Sequence, residues 1–141
     1  MKHINRSTIR RTLLCLTLLP LGAAPLSACQ HEKTTEEPAY LNISQVEAKQ
    51  LMDTESDYVI LDVRTQEEFD EGHIPGAILI PDYEIEEKAE TALPDKNQLI
   101  LVYCRSGRRS KLAAEQLEIL GYTKIREFGG IIDWPYTIEK S

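Results

Sequence analysis

The sequence predicts a single α/β domain on a mostly parallel sheet, and three observations predict it. Tyr58 to Val63 (YVILDV) and Gln98 to Tyr103 (QLILVY) are continuous apolar runs, the pattern of strands covered on both faces. A segment with helix-forming signals follows each run. The whole chain is 141 residues, too short for a second core.

The chain opens on an address rather than a fold. Met1 to Arg11 is basic, and Thr12 to Leu19 is nearly all apolar. Pro20, Gly22 and Pro25 then interrupt any helix before Leu26-Ser27-Ala28-Cys29. A basic start, a short apolar run and a small-residue box are the parts of a secretory signal, and the run is too short to span a bilayer. The cysteine directly after the box is similar to the lipidated cysteine of bacterial lipoproteins. Residues 1–28 are therefore expected to be removed, with Cys29 carrying the lipid and the protein secreted across the cytoplasmic membrane and lipid-anchored on a periplasmic or cell-surface face. Residues 29–40 include the polar stretch Gln30 to Ala39, expected to be a solvated tether, and the domain is expected over 41–141.

Within the domain, Ser44 and Glu47 fit a capping box, and Val46, Leu51 and Met52 suit the apolar face of a short helix. After the strand at Tyr58, Thr65 and Glu68 form a second capping box that opens a helix through about Asp70. Gly72 to Gly76 (GHIPG) is a turn, followed by a short strand at Ala77 to Ile80. Tyr83 to Glu90 is weakly helical with a solvated acidic face, and Pro94-Asp95 ends it. Ser110 to Leu120 is the strongest helix: Ala113, Leu117 and Leu120 form a stripe widened by Leu112 and Ile119, and Gly121 stops it. Lys124 to Phe128 is a last strand, after which Gly129-Gly130 turns the chain toward Trp134.

Charge narrows the function. The first 28 residues hold Lys2, Arg6, Arg10 and Arg11 and no acid, so 12 of the 16 basic side chains and all 23 acidic ones lie beyond them, a balance of −11. Such a body repels phosphate backbones, and nucleic acid is not expected as a partner. The 3 cysteines, Cys15, Cys29 and Cys104, make no disulfide framework. His31 beside Cys29 makes no metal site, and no metal is expected anywhere.

Cys104-Arg105-Ser106-Gly107-Arg108-Arg109-Ser110 joins the most apolar strand to the strongest helix. Ligands of parallel sheets bind at such carboxyl ends of strands, where the free N–H groups of the next helix face an anion. Of the arginines after residue 28, Arg105, Arg108 and Arg109 are here, and only Arg64 and Arg126 lie elsewhere. Cations and a helix N-terminus favour thiolate over thiol, which makes Cys104 the candidate nucleophile. Arg105, Ser106, Gly107, Arg108, Arg109 and Ser110 are the candidate substrate-binding residues. Arginine suits an oxyanion because its planar fork makes two parallel hydrogen bonds.

These residues resemble the rhodanese (thiosulfate sulfurtransferase) family of the small single-domain type, from about Leu41 to Lys140. The resemblance rests on the Cys104–Ser110 loop, on Leu61-Asp62-Val63-Arg64 through Glu68-Phe69 and Glu71-Gly72-His73-Ile74-Pro75-Gly76-Ala77, and on Phe128-Gly129-Gly130 with Trp134. It implies a five-stranded sheet flanked by helices, and a double displacement through a persulfide on Cys104 without metal or organic cofactor. The implied partners are a small anionic sulfur donor and a thiol or cyanide-like acceptor, served by a monomer. Asp62, Arg64 and Glu68 match the first motif and are taken as structural support, with an Arg–Glu pair fixing the turn behind the loop. His73 lies between turn residues and reads as a structural histidine rather than a general base; Trp134 reads as a lid on the core. Two alternatives stay open: a sulfur carrier or redox sensor without efficient turnover, and a cysteine-dependent phosphatase or arsenate reductase. The second fits less well, because Arg109 follows Cys104 after four residues rather than five.

Overall fold

The computed structural model describes residues 38–141. The segment read as a signal, Cys29 and most of the tether lie outside the described residues. Within them the chain runs β1 (Tyr40–Asn42), α1 (Gln45–Thr54), β2 (Tyr58–Asp62), α2 (Gln66–Glu71), β3 (Ile78–Leu79), α3 (Ile85–Ala92), β4 (Leu99–Cys104), α4 (Arg108–Ile119) and β5 (Ile125–Gly130). Single turns of 3-10 helix lead into α3 at Asp82–Glu84 and follow β5 at Ile131–Asp133. The strands form one sheet in the order β1-β5-β4-β2-β3, every pairing parallel.

Side chains on a strand alternate between faces, so the apolar runs feed two cores. Leu61, Ile100, Val102 and Cys104 join Ile85, Ala89, Ala113 and Leu117 of α3 and α4 on one face. Ile60, Leu101 and Tyr103 join Ala48 of α1, Phe128 and Trp134 on the other. This double covering is why YVILDV and QLILVY carry no polar alternation. It also fixes which face Cys104 occupies.

Helix ends follow local chemistry. Both capping boxes form: the Ser44 and Thr65 hydroxyls accept from the N–H of Glu47 and Glu68, whose carboxylates accept back from the cap N–H groups. At the far end of α4 the Gly121 N–H donates to Glu118 O at 2.9 Å and the Tyr122 N–H to Leu117 O at 3.1 Å, a Schellman closure with Tyr122 buried behind it.

Several expectations are corrected. The strand β1 went unforeseen, and Tyr40, placed in the tether, opens it in register with Ile125. Three residues at a sheet edge are too few to show a period. Val46, Leu112 and Ile119 are exposed rather than core-facing, Ile119 at 84%. The buried stripe of α4 is Ala113, Ala114 and Leu117, narrow because small alanines let the helix sit close to the sheet. That helix also starts two residues earlier than expected, at Arg108.

Below the C-terminal ends of β2 and β4 lies a buried ion pair. Asp62 is fully buried, and its carboxylate accepts from Arg64 Nη2 at 2.6 Å and from Arg64 Nε at 3.0 Å. Arg64 also donates to Gly72 O at 2.7 Å, tying the turn after α2 to the sheet. Removing one member of such a pair strands the other charge. Asp62→Ala should therefore lose about 3–5 kcal/mol of unfolding free energy in urea titration; a loss below about 1 kcal/mol would mean the pair is not needed by the fold.

Candidate active site

Cys104 ends β4, and its sulfur lies under the turn that leads into α4. Gly107 is the cap of that helix at φ +96°, a left-handed conformation that turns its N–H inward, where it donates to Cys104 Sγ at 3.1 Å. Ser110, one turn on and fully buried, places its Oγ 3.5 Å from the same sulfur. The loop rests directly on β5: a Cβ on Gly130 would lie 2.1 Å from Arg105 O, so only glycine fits. The 3-10 turn grips the loop as well, with the Ile132 N–H donating to Arg105 O at 3.2 Å.

Burial pushes the Cys104 thiol up, and this is the largest single influence. It is outweighed by the Ser110 hydroxyl and by the backbone amides of Ser110, Ser106 and Gly107, so the thiol titrates below the ordinary 9.0. Of the two sources expected, the amides at the start of the helix contribute, together with the Ser110 hydroxyl, while the arginines are not among the leading influences on the thiol. Arg105 and Arg108 are exposed, and water screens their charge. Arg109 does interact with the charge on Cys104, but its guanidinium is engaged elsewhere. Its Nη1 and Nη2 donate to Glu68 Oε2 and Oε1 at 2.7 and 2.8 Å, a bidentate pair joining α4 to α2.

The sequence-predicted residues therefore divide. Cys104, Ser106, Gly107 and Ser110 converge on the sulfur through side chain or amide. Arg105 lines a cavity of about 240 Å³ beside the loop, with Arg64, Glu68, Glu71, Ile131 and Ile132. Neither Arg105 nor Arg108 makes an ion pair among the described residues, which leaves both free to meet an anion. The Arg–Glu pair behind the loop is Arg109–Glu68, while Arg64 pairs with Asp62.

His73 takes the structural place expected of it. Its ring stacks on Phe69 at 3.8 Å, its Nδ1 lies 3.0 Å from Phe69 O, and its backbone bridges Glu139. Trp134 covers the second core, 5.5 Å from the Phe128 ring, and its Nε1 donates to Thr137 O. A larger cavity of about 720 Å³ lies beside Trp134 and Tyr136 and includes no residue of the loop. Among the described residues no group of three or more His, Cys, Asp or Glu converges as metal ligands would. One buried group went unnoticed in sequence: Glu127, on β5, whose Oε1 lies 2.5 Å from Ser110 Oγ. An acid inside the last strand, IREFGG, was the available signal.

Comparison with known proteins bears on the family and the fold. A model of the rhodanese-like domain matches residues 44–135. The thiosulfate sulfurtransferase PspE of Escherichia coli is 45% identical over 73 residues, 52% of this chain and 70% of that protein. The putative sulfur carrier protein YrkF of Bacillus subtilis is 40% identical over 87 residues, 61% of this chain but only 46% of that protein. A solved rhodanese with anions from E. coli superposes with a TM-score of 0.57 at 40% identity, over 60% of this chain and 99% of that one.

The Arg109–Glu68 pair carries a pH signature. Hydrogen bonding from Arg109, opposed by partial burial and aided by the Thr65 N–H, holds the Glu68 carboxyl down at about 2 against its ordinary 4.5. A carboxyl lowered on folding stabilises the protein above its unfolded value and loses that contribution as pH falls through its folded one. The pair should be fully effective above pH 4.5 and fade toward pH 2. Glu68→Gln should flatten the stability curve across that window, read by chemical denaturation at successive pH values; an unchanged slope would contradict the assignment.

Proposed function

Because the chain belongs to the rhodanese-like domain family, we propose that it moves a sulfane sulfur from an anionic donor of the thiosulfate type to a thiophilic acceptor, through a persulfide on Cys104. The observation that carries this reading is the set of donors around one buried sulfur: the Gly107 amide at 3.1 Å and the Ser110 hydroxyl at 3.5 Å. Donors fixed before reaction favour the thiolate without reorganisation when it attacks.

In the first step the Cys104 thiolate attacks the outer sulfur of the donor. A Cys–S–S bond forms, the donor S–S bond breaks, and sulfite departs with the electron pair. Arg105 and Arg108 are the guanidinium groups available to hold the sulfonate end and meet the charge on departing sulfite. In the second step a cyanide or thiolate acceptor takes the outer sulfur, and the S–S electron pair returns to Cys104. No redox cofactor or metal enters, since each step exchanges one S–S or S–C bond for another. Loop amides accommodate the persulfide anion as they do the thiolate.

The resemblance to a sulfur carrier favours a second reading, in which a partner loads Cys104 and another unloads it without efficient steady turnover. A phosphatase role fits less well, because the loop is one residue shorter than that chemistry uses and the fork of Arg109 is held by Glu68. The residues Leu26-Ser27-Ala28-Cys29 further support a mature chain tethered to a membrane by lipid on Cys29.

Mass spectrometry after exposure to thiosulfate should find one added sulfur atom on Cys104, with release of sulfite, and none in Cys104→Ser. Sulfur transfer retained in that variant would end the proposal. Repeated sulfite release with cyanide present would favour the enzyme, and a single stoichiometric release the carrier. The same measurement on detergent-extracted protein should show a diacylglyceryl-modified N-terminal Cys29; an unmodified Cys29 would remove the anchor.

A further inference from the structure

The buried acid behind the loop has no part in the mechanism above. Glu127 is 1% exposed on the central part of β5, paired in register with Val102 of β4 and Asn42 of β1. Its Oε1 accepts the Gly129 N–H at 2.9 Å and lies 2.5 Å from Ser110 Oγ. The Ser110 oxygen in turn lies 3.5 Å from Cys104 Sγ. Three side chains on β4, α4 and β5 thus form one continuous hydrogen-bonded chain away from water.

Counting protons along that chain leads to a conclusion. A serine hydroxyl has one proton to donate. Around Ser110 Oγ stand the Gly107 carbonyl at 3.1 Å, the Gly129 carbonyl at 3.4 Å, the Glu127 carboxyl and the Cys104 sulfur. When Cys104 is a thiol, its S–H points to Ser110 Oγ and the Ser110 proton points to an ionised Glu127; every group is satisfied. When Cys104 is a thiolate and Glu127 is also ionised, four acceptors compete for one hydroxyl proton, and two anions face each other in a buried space. That arrangement is costly. A proton on Glu127 relieves it, because Glu127 then donates to Ser110 and Ser110 donates to the thiolate.

The geometry points to Glu127 as a positioning residue that shares one proton with Cys104 through the Ser110 hydroxyl. In the transfer the Cys104 S–H bond and the Ser110 O–H bond break while a new Ser110 O–H bond and a Glu127 O–H bond form. The proton lost by sulfur is replaced on Ser110 as Ser110 passes its own to Oε1. No electrons are exchanged, and the pocket keeps the same net charge. The thiolate is therefore made without drawing a proton through solvent. Among the charged and titratable groups facing this chain, Arg109 of α4 acts on Cys104, and Tyr40 of β1 faces Glu127.

This inference rests on Cys104 as the nucleophile, but its test reads thiol ionisation rather than sulfur transfer, so the two fail separately. The rate of Cys104 alkylation by iodoacetamide is measured against pH in the wild-type domain and in Glu127→Gln. The wild type should rise in two steps, since two sites share the first proton lost. Glu127→Gln keeps a donor to Ser110 but cannot take the proton. It should rise in one step without an intermediate plateau and, over the range where the wild type holds its plateau with the proton shared about evenly, react roughly twofold faster. Superimposable profiles would overturn the proposal. The folded wild-type protein supplies a second readout: infrared spectroscopy at pH 7 should show a protonated-carboxyl C=O band that is missing in Cys104→Ser, where no thiolate calls for the proton. A wild-type spectrum without that band would equally overturn it.

Discussion

Hydrogen bonds converging on Cys104 Sγ are what the rest of the structure is arranged to keep. A sulfur that is 1% exposed is pushed toward the neutral thiol by its burial, and only donors held in place can reverse that push. The donors come from the turn at Gly107 and the first turn of α4, so their aim depends on the path of four residues. Three independent contacts hold that path: the close approach of Gly130 to Arg105 O, the bond from Ile132, and the Arg109–Glu68 fork that fastens α4 to α2. Farther back, Asp62 and Arg64 fix the turn that follows α2. Each layer orients the next, and the outermost one is the apolar sheet.

The arginines of the loop divide into two kinds. Arg109 is a structural clamp, spent on a carboxylate 2.7 Å away. Arg105 and Arg108 are exposed, and the role proposed for them is to draw in an anion through screened charge rather than to tune the sulfur. An acidic domain gains from this separation. In the proposed reaction local positive charge would draw in a small anion that the body repels, while short-range hydrogen bonds lower the thiol.

Much of this was legible in the sequence for physical reasons. The strands β2 and β4 announced themselves because both faces are covered, and the helix starts at Ser44 and Thr65 because capping boxes need particular side chains three residues apart. Cys104 stood out because polar, cationic and glycine residues crowd the end of an apolar strand. What was hidden depends on tertiary distance. The partner of Glu68 is 41 residues away, and nothing in either segment says that Arg109 rather than Arg64 will meet it. β1 is too short to show a period, and the exposure of Leu112 and Ile119 reflects how closely α4 approaches the sheet. Glu127 could be seen as an acid inside the last strand, but its link to Cys104 exists only once β4, α4 and β5 are packed together.

The central claim is that fixed hydrogen-bond donors, and not bulk positive charge, keep the Cys104 sulfur ionised. The most direct measurement is the ultraviolet absorbance of the thiolate followed through a pH titration at low and at high salt. The account predicts thiolate appearing below the ordinary 9.0, at pH values that stay in place when salt is raised. Thiolate appearing only at or above that value, or at pH values that climb steeply with ionic strength, would contradict it.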